Sequence, residues 1–347
     1  MEQKQVQLKD IYILGIESSC DDTSCAVIKN GLLYSNITAS QKIHEQYGGV
    51  IPELASRDHE KNIIPVVDAA LKQANIQLAQ LSGIAVTRGP GLSGSLLVGL
   101  SFAKSLSLAL NIPLIEVNHM QGHILAHFIK EVNQETTHPL FPFLCLTVSG
   151  GHTQIVKISD YYTFELLAET EDDAVGEAFD KAAKLLGLPY PGGPLIDRYA
   201  KLGNPDKYKF PIPHLKNNNF SFSGIKTSFL YFIQEHVKIQ SNFIEENLND
   251  ICASYQSHLI KYLLKNLLTV SKETAIKQIA IAGGVSANSR LRDELELLGK
   301  RQGWETYIPK FQYCTDNAAM IAITGYYKFL RNDFCGLDIT PLARYGL

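Results

Sequence analysis

No two of the six cysteines, Cys20, Cys25, Cys145, Cys252, Cys314 and Cys335, form a C-x-x-C pair. In a chain of 347 residues their scatter speaks against a disulfide frame. It reads instead as reduced thiols in a cytoplasmic protein. An excess of one charge is also missing. The 32 Lys and Arg against 35 Asp and Glu leave a formal net charge of -3, and the pI is near 6.4. No global field therefore attracts nucleic acid, and such a partner needs a local patch or a helper protein. A long apolar run is lacking too. The most membrane-like stretch, Gly89 to Ile115, is interrupted by Lys104 and punctuated by Gly, Ser and Pro. Neither side of that lysine approaches the roughly 20 apolar residues that span a bilayer, and the first ten residues, MEQKQVQLKD, do not resemble a signal peptide.

What is present is the composition of an ordinary globular protein, 45% hydrophobic and 19% charged. The length exceeds the roughly 250–300 residues over which one core keeps growing, so two lobes are expected. The sequence repeats one plan. Residues 11–38 read as strand, tight polar turn, strand, Asn-Gly turn, strand, with Asn30-Gly31 a strong hairpin signal. Residues 143–169 repeat that order around Ser149-Gly150-Gly151. A helical pattern at Asn62–Ala74 precedes SGIAVTRGPGLSGSLLVGL, and another at Ile251–Val270 precedes KQIAIAGGVSANSRLRDEL. The fully apolar runs Ile84-Ala85-Val86 and Ile279-Ala280-Ile281 suit parallel strands buried on both faces. The expected fold is α/β and duplicated. It resembles the actin-like (ribonuclease H-like) two-lobe plan, with mixed sheets flanked by helices and an interlobe cleft. The first lobe is placed at 9–131, completed by 315–347 with a helix at Asp316–Leu330, and the second at 132–314.

Three glycine-containing turns could contact phosphate: Gly15 to Thr23, Ser149 to His152, and Gly283 to Asn288. Glycines admit an anion close to the backbone, and consecutive N–H groups or a helix start supply donors. Asp180 and Asp197 flank Pro189 to Pro194. They read either as solvated helix charges or as acceptors for the hydroxyls of a nucleotide or sugar. His119 and His123, at i and i+4, can reach one ion from a single helical face. A peptidase of the H-E-x-x-H type needs glutamate directly after the first histidine. Here Met120 and Gln121 follow, so that reading lacks its base. Asp316 is the carboxylate that the proposed fold would return beside the pair, giving a set compatible with iron or zinc. The irregular segment Gly203–Gly224 and its flanks carry Lys207, Lys209, Lys216 and Lys226 among Tyr208, Phe210, Phe220 and Phe222. These are candidate stacking surfaces for single-stranded RNA, unless the aromatics are core.

The motifs GIESSCDDT, GGVIPELASRDH, GPGLSGSLLVG, NHMQGH, VSGGHTQ, GEAFDKAAKLLGLPYPGGP, FSFSGIKT, AGGVSANSRLR and CTDNAAMIA occur in this order over about residues 11–330. Together they resemble the bacterial tRNA N6-adenosine threonylcarbamoyltransferases. The resemblance implies transfer of a threonylcarbamoyl group from threonylcarbamoyl-AMP to N6 of adenosine 37 in tRNAs reading codons that begin with A. It implies one divalent metal, Fe(2+) or Zn(2+), on His119, His123 and Asp316. The adenylate contacts fall on Thr147, Val148, Ser149, Gly150, Gly151, Asp180, Gly193, Asp197 and Asn288, and Asp21 is the residue to test for catalysis. Implied partners are the tRNA anticodon loop, a same-fold paralogue and a small P-loop ATPase, with no membrane. Many family members carry Glu at the position of Gln121 and His at that of Asn118. The rival classes are a metallopeptidase and a non-catalytic nucleotide-binding partner.

Overall fold

The computed structural model describes residues 10–134, 137–213 and 215–347, apart from the side chains of Lys42, Glu45 and Lys216. The chain opens with β1 (Tyr12–Glu17), β2 (Asp22–Lys29), β3 (Leu32–Ser40), α1 (Pro52–Ala74), β4 (Gly83–Gly89) and α2 (Ser93–Leu110). Next come β5 (Leu114–Asn118), α3 (His119–Leu125), β6 (Lys130–Glu131), β7 (Phe143–Val148), β8 (Thr153–Asp160) and β9 (Thr163–Glu169). Helices α4 (Val175–Leu185), α5 (Gly192–Ala200), α6 (Ser223–Ile239) and α7 (Phe243–Thr274) lead to β10 (Gln278–Ala282) and α8 (Ser289–Gln302). The chain closes with β11 (Glu305–Tyr307) and α9 (Ala318–Leu330).

Two compact units result. Unit 1 comprises Met1–Gln41, Pro52–Thr136 and Asn317–Gly346, and unit 2 comprises Lys42–Ile51 and Thr137–Asp316 with Leu347. The sheet of unit 1 has the order β5-β4-β1-β2-β3-β6, and that of unit 2 the order β11-β10-β7-β8-β9. In both, an antiparallel three-strand meander is extended by parallel strands on the side of its first strand. The duplication read from the sequence is therefore present in five strands of each sheet, and unit 1 adds the two-residue β6 beside β3. The parallel strands β4 and β10 are buried on both faces, as their unbroken apolar runs require.

In unit 1, Leu14 and Ile16 of β1 join a core with α1 residues Ile63, Val66, Val67 and Ala70. Helix α9 packs against β1, β2, β4 and β5, and its residues Ala318 to Gly325 are buried all round. That stretch has no solvent face and is made almost wholly of small and apolar residues. It begins two residues later than the sequence pattern suggests. Asn317 takes the cap, its Oδ1 accepting the Met320 amide at 3.0 Å, which leaves Asp316 ahead of the helix. Helix α2 is long and apolar enough to cross a membrane, yet Ser95, Leu96, Gly99, Leu100, Ala103 and Ser107 form a buried strip facing α1 and β4. That is the pattern of a sheet-covering helix.

Unit 2 is built around the 32-residue α7, whose Tyr255, Leu259, Tyr262 and Leu263 are fully buried. Between α5 and α6 the chain is irregular, as expected, but its phenylalanines are not free for stacking. Phe220 and Phe222 are both 0% exposed, and Phe210 is buried with them. Backbone bonds place them there: the Phe220 amide donates to Glu169 O and its carbonyl accepts from Glu171 N, each at 2.9 Å. The segment thus adds a bridge to the β9 edge and turns its rings inward. Lys207 pairs with Asp250 and Lys226 with Asp173, while the Lys216 side chain lies outside the described residues. Of the two readings left open for these aromatics, the core one holds for Phe210, Phe220 and Phe222, while Tyr208 is half-buried and Lys209 exposed.

Candidate active site: a histidine pair, a carboxylate and two polar loops

Strand β5 ends at Asn118, whose Oδ1 accepts the amides of Met120 at 2.9 Å and Gln121 at 3.3 Å and so caps α3. One turn of that helix separates His119 from His123, and their rings meet edge to face with centroids 4.7 Å apart. Their Nε2 atoms are 3.1 Å apart. Helix α3 approaches α9 closely at Gly122, where an added Cβ would lie 3.1 Å from Ile321 Cδ1 and 3.3 Å from Met320 Cγ. This approach brings the histidines to the start of α9. Ligand atoms of His119, His123 and Asp316 lie within 4.8 Å of one another.

The donor set fits a divalent ion. Bonds of about 2.0–2.1 Å at tetrahedral to octahedral angles put neighbouring ligand atoms about 3.0–3.4 Å apart, which the imidazole pair already satisfies. Two imidazoles and one carboxylate leave positions open for a further ligand. No proton acceptor for peptide hydrolysis follows His119, because Met120 is buried and neither it nor Gln121 is a carboxylate. Behind the His119 ring is Glu17, which ends β1. It is 0% exposed, and its Oε2 lies 3.1 Å from His119 Nδ1. The same carboxylate accepts the Ser19 amide and the Thr87 hydroxyl, both at 2.5 Å.

Asp21 sits in the β1–β2 bend, half-buried. The bend is held by His59 of α1, whose Nε2 lies 2.9 Å from Cys20 O and whose Nδ1 lies 2.8 Å from Thr23 Oγ1. A carbonyl only accepts, so the proton is on Nε2 and Nδ1 accepts from Thr23. Burial pushes the His59 pKa down, which keeps the ring neutral. Cysteine nucleophiles are disfavoured among the buried thiols, since burial pushes Cys145 and Cys252 up to about 12.

In unit 2, Thr147 and Val148 are buried in β7, and the exposed part of the turn after them is Gly150 and Gly151. Ser149 N donates to His152 O at 2.8 Å, and His152 N donates to Ser149 Oγ at 3.1 Å. The donors that the turn can offer a ligand are therefore the amides of the two glycines. Gly283 backs this turn at φ +86, where an added Cβ would lie 2.5 Å from Val148 O. Asn288 caps α8 by accepting Leu291 N at 3.1 Å. Its Oδ1 also accepts Gln256 Nε2 at 2.9 Å, and the same nitrogen donates to Asp197 Oδ1 at 2.6 Å. Ser289 Oγ donates to Asp197 as well, at 2.8 Å. Asp197 and Asn288 thus belong to one network with Gln256 at its centre.

Asp180 has a different partner set. Its Oδ1 accepts the amides of Gly192 at 2.9 Å and Gly193 at 3.2 Å, so it caps α5 from α4. Burial raises its pKa above the ordinary carboxylate value, against the lowering effect of the two amides. It lines a cavity of about 530 Å³ with Tyr47, Glu177, Lys181, Lys184 and Tyr190. Glu17, His59 and Gln256 were not singled out from the sequence. Each carries the signal of a polar side chain inside an apolar pattern, which identifies burial but not the partner.

A family model described as tRNA N6-adenosine threonylcarbamoyltransferase matches residues 32–323. The protein of that name from Christiangramia forsetii is 61% identical over 96% of this chain and 98% of its own length. Its counterpart from Porphyromonas gingivalis is 55% identical over 97% of this chain and 98% of its own. Among solved structures, T. kodakarensis HypF matches with a TM-score of 0.59, covering 96% of this chain and 49% of that one at 13% identity. That likeness concerns the actin-like fold alone. The sequence relatives carry the function, and by them this chain belongs to the tRNA N6-adenosine threonylcarbamoyltransferase family, an enzyme family of transferases acting on tRNA.

Proposed function

We propose that this protein transfers the threonylcarbamoyl group of threonylcarbamoyl-AMP to N6 of adenosine 37 in tRNAs that read codons beginning with A, releasing AMP in the cytoplasm. The observation that carries this reading is the convergence of His119, His123 and Asp316 in a chain of this family. The bound ion is Fe(2+), with Zn(2+) the alternative, since two imidazoles, one carboxylate and open positions suit either. When bound, it supplies positive charge that stabilises the leaving phosphate or polarises the carbamoyl oxygen.

The acyl donor is already activated as a mixed anhydride, whereas the adenine amine is a poor nucleophile because its lone pair is delocalised into the ring. The residues of the chain therefore act chiefly by alignment, which is worth up to about 7–11 kcal/mol in well-oriented cases. The amides of Gly150 and Gly151 would donate to the adenylate phosphate. Asp197 and Asn288, held in register by Gln256, would orient its ribose and base, and Asp180 with the Gly193 amide would bound the same site. Asp21, on the bend clamped by His59, would act on the acceptor amine. A single-stranded anticodon loop presents that amine without extraction of a base from a duplex.

The test is incubation of the purified protein with threonylcarbamoyl-AMP and unmodified tRNA, followed by nucleoside analysis. A same-fold paralogue and a small P-loop ATPase, the partners implied by the family resemblance, are included in one arm. Threonylcarbamoyladenosine at position 37 is the expected product. Its absence from every arm, with metal loaded and tRNA intact, would sink the reading.

A further inference from the structure

The carboxylate of Glu17 is fully buried at the end of β1, and its polar neighbours in unit 1 include Ser19, Thr87 and His119. Its Oε1 accepts the Ser19 amide at 2.5 Å. Its Oε2 accepts the Thr87 hydroxyl at 2.5 Å and lies 3.1 Å from His119 Nδ1. A carboxylate has acceptors only, so the proton it shares with the imidazole resides on Nδ1. Ser19 Oγ, also 3.1 Å from that nitrogen, can accept a share of the same N–H and places no opposing demand on it. The other ring nitrogen, Nε2, is then left with its lone pair, and it is this atom that lies 3.1 Å from Nε2 of His123.

We infer that Glu17 is a positioning residue: it fixes His119 in the Nδ1–H tautomer, so that Nε2 is held ready to bind a divalent cation. This deepens the metal-site reading above and rests on it. A carboxylate behind a ligating imidazole sets the orientation of the ring and raises the basicity of its free nitrogen. Thr87 and the Ser19 amide in turn anchor the carboxylate, so β1, β4 and α3 all contribute to the direction of one lone pair.

The isosteric substitution Glu17→Gln separates this role from a merely structural one. A side-chain amide has one acceptor end and one donor end. The Ser19 backbone amide can only donate, so it retains the carbonyl oxygen at the Oε1 position. The NH2 group then occupies the Oε2 position, facing Thr87 Oγ1 and His119 Nδ1. The Thr87 hydroxyl can turn to accept. His119 can accept only by moving its proton to Nε2, the nitrogen that would bind the ion.

The experiment uses the full chain with 15N-labelled histidine, stripped of metal. Long-range 1H–15N correlation spectra report the tautomer of each ring, and His119→Gln assigns the signal. The metal-free wild-type protein is expected to show His119 as Nδ1–H, and Glu17→Gln is expected to show it as Nε2–H. Zinc affinity, read by competition with a chromophoric chelator, should fall about 10–100-fold in Glu17→Gln, as it does when such a partner is lost. Thr87→Ser, which keeps the hydroxyl, should leave both readouts unchanged. An Nε2–H tautomer in the wild-type protein would overturn the inference without any variant. So would a folded Glu17→Gln protein that keeps the Nδ1–H form and full zinc affinity. Wild-type protein that shows the expected tautomer but takes up neither zinc nor iron would instead remove the metal reading.

Discussion

Replacing Phe220 with alanine distinguishes a core residue from an RNA platform. Phe220 is fully buried, with its ring 6.2 Å from Phe222 in a stacked arrangement and 5.7 Å from Tyr262 edge to face. Truncating a buried phenylalanine costs about 3–5 kcal/mol, and each aromatic pair accounts for about 0.5–1.5 kcal/mol of interaction beyond area burial. The backbone bonds of Phe220 to Glu169 and Glu171 survive the change, so the segment stays attached and the loss is one of packing. At a urea slope of about 3 kcal/mol per molar, the transition of unit 2 should move down by more than about 1 M. The assay is urea unfolding followed by near-ultraviolet circular dichroism, paired with tRNA binding under conditions where the variant is fully folded. tRNA affinity should be unchanged there, and Phe220→Leu should recover much of the midpoint. An unmoved urea midpoint with a large loss of tRNA affinity would refute the core assignment and restore the stacking surface.

His119→Ala combined with His123→Ala should abolish metal uptake and threonylcarbamoyl transfer together; elemental analysis beside the nucleoside assay checks it, and full activity in a metal-free double variant would count against the site. Asp180→Ala strips the acceptor from two α5 amides, so adenylate affinity should fall and stability should drop by about 1–2 kcal/mol. Asp180→Asn keeps an acceptor without the buried charge. Because the folded pKa of Asp180 is raised above 3.8, the stability it contributes at lower pH is lost as pH rises through the folded value. The asparagine variant should accordingly exceed the wild type in stability at neutral pH and converge with it in acid, which thermal melts across that range will show. Gly283→Ala should destabilise unit 2 by about 1–3 kcal/mol, since φ +86 and the Val148 carbonyl both oppose a side chain; an unchanged melting temperature would contradict the geometry.

The duplicated plan was legible because it rests on period and punctuation. The apolar strands, the Asn30-Gly31 turn and the Ser-Gly-Gly turn recur in the same order in both halves, and backbone preferences alone fix them. The His119/His123 pair was legible for a similar reason, because a spacing of four is one helical turn. What the sequence concealed were partners distant along the chain. Gln256 lies within a long apolar helix pattern and shows its use only when Asp197 and Asn288 arrive beside it. The sequence left two readings open at Phe220 and Phe222, core or stacking surface: lysines nearby suggested a solvent-facing surface, whereas edge pairing with β9 turned the rings inward. Local charge reports composition, while side-chain direction is set by the register of a neighbouring strand.

The last helix carries a consequence for biosynthesis. Helix α9 is packed against β1 to β5, the strands made first, and Asp316 directly precedes its cap. A ribosome that has translated most of the message has thus produced nearly all of unit 2 as a continuous stretch, while the earlier sheet still exposes the face reserved for α9. The candidate trio is incomplete until residue 316 has been translated, and a transcript truncated before codon 316 yields a product that has both imidazoles but lacks the carboxylate beside them.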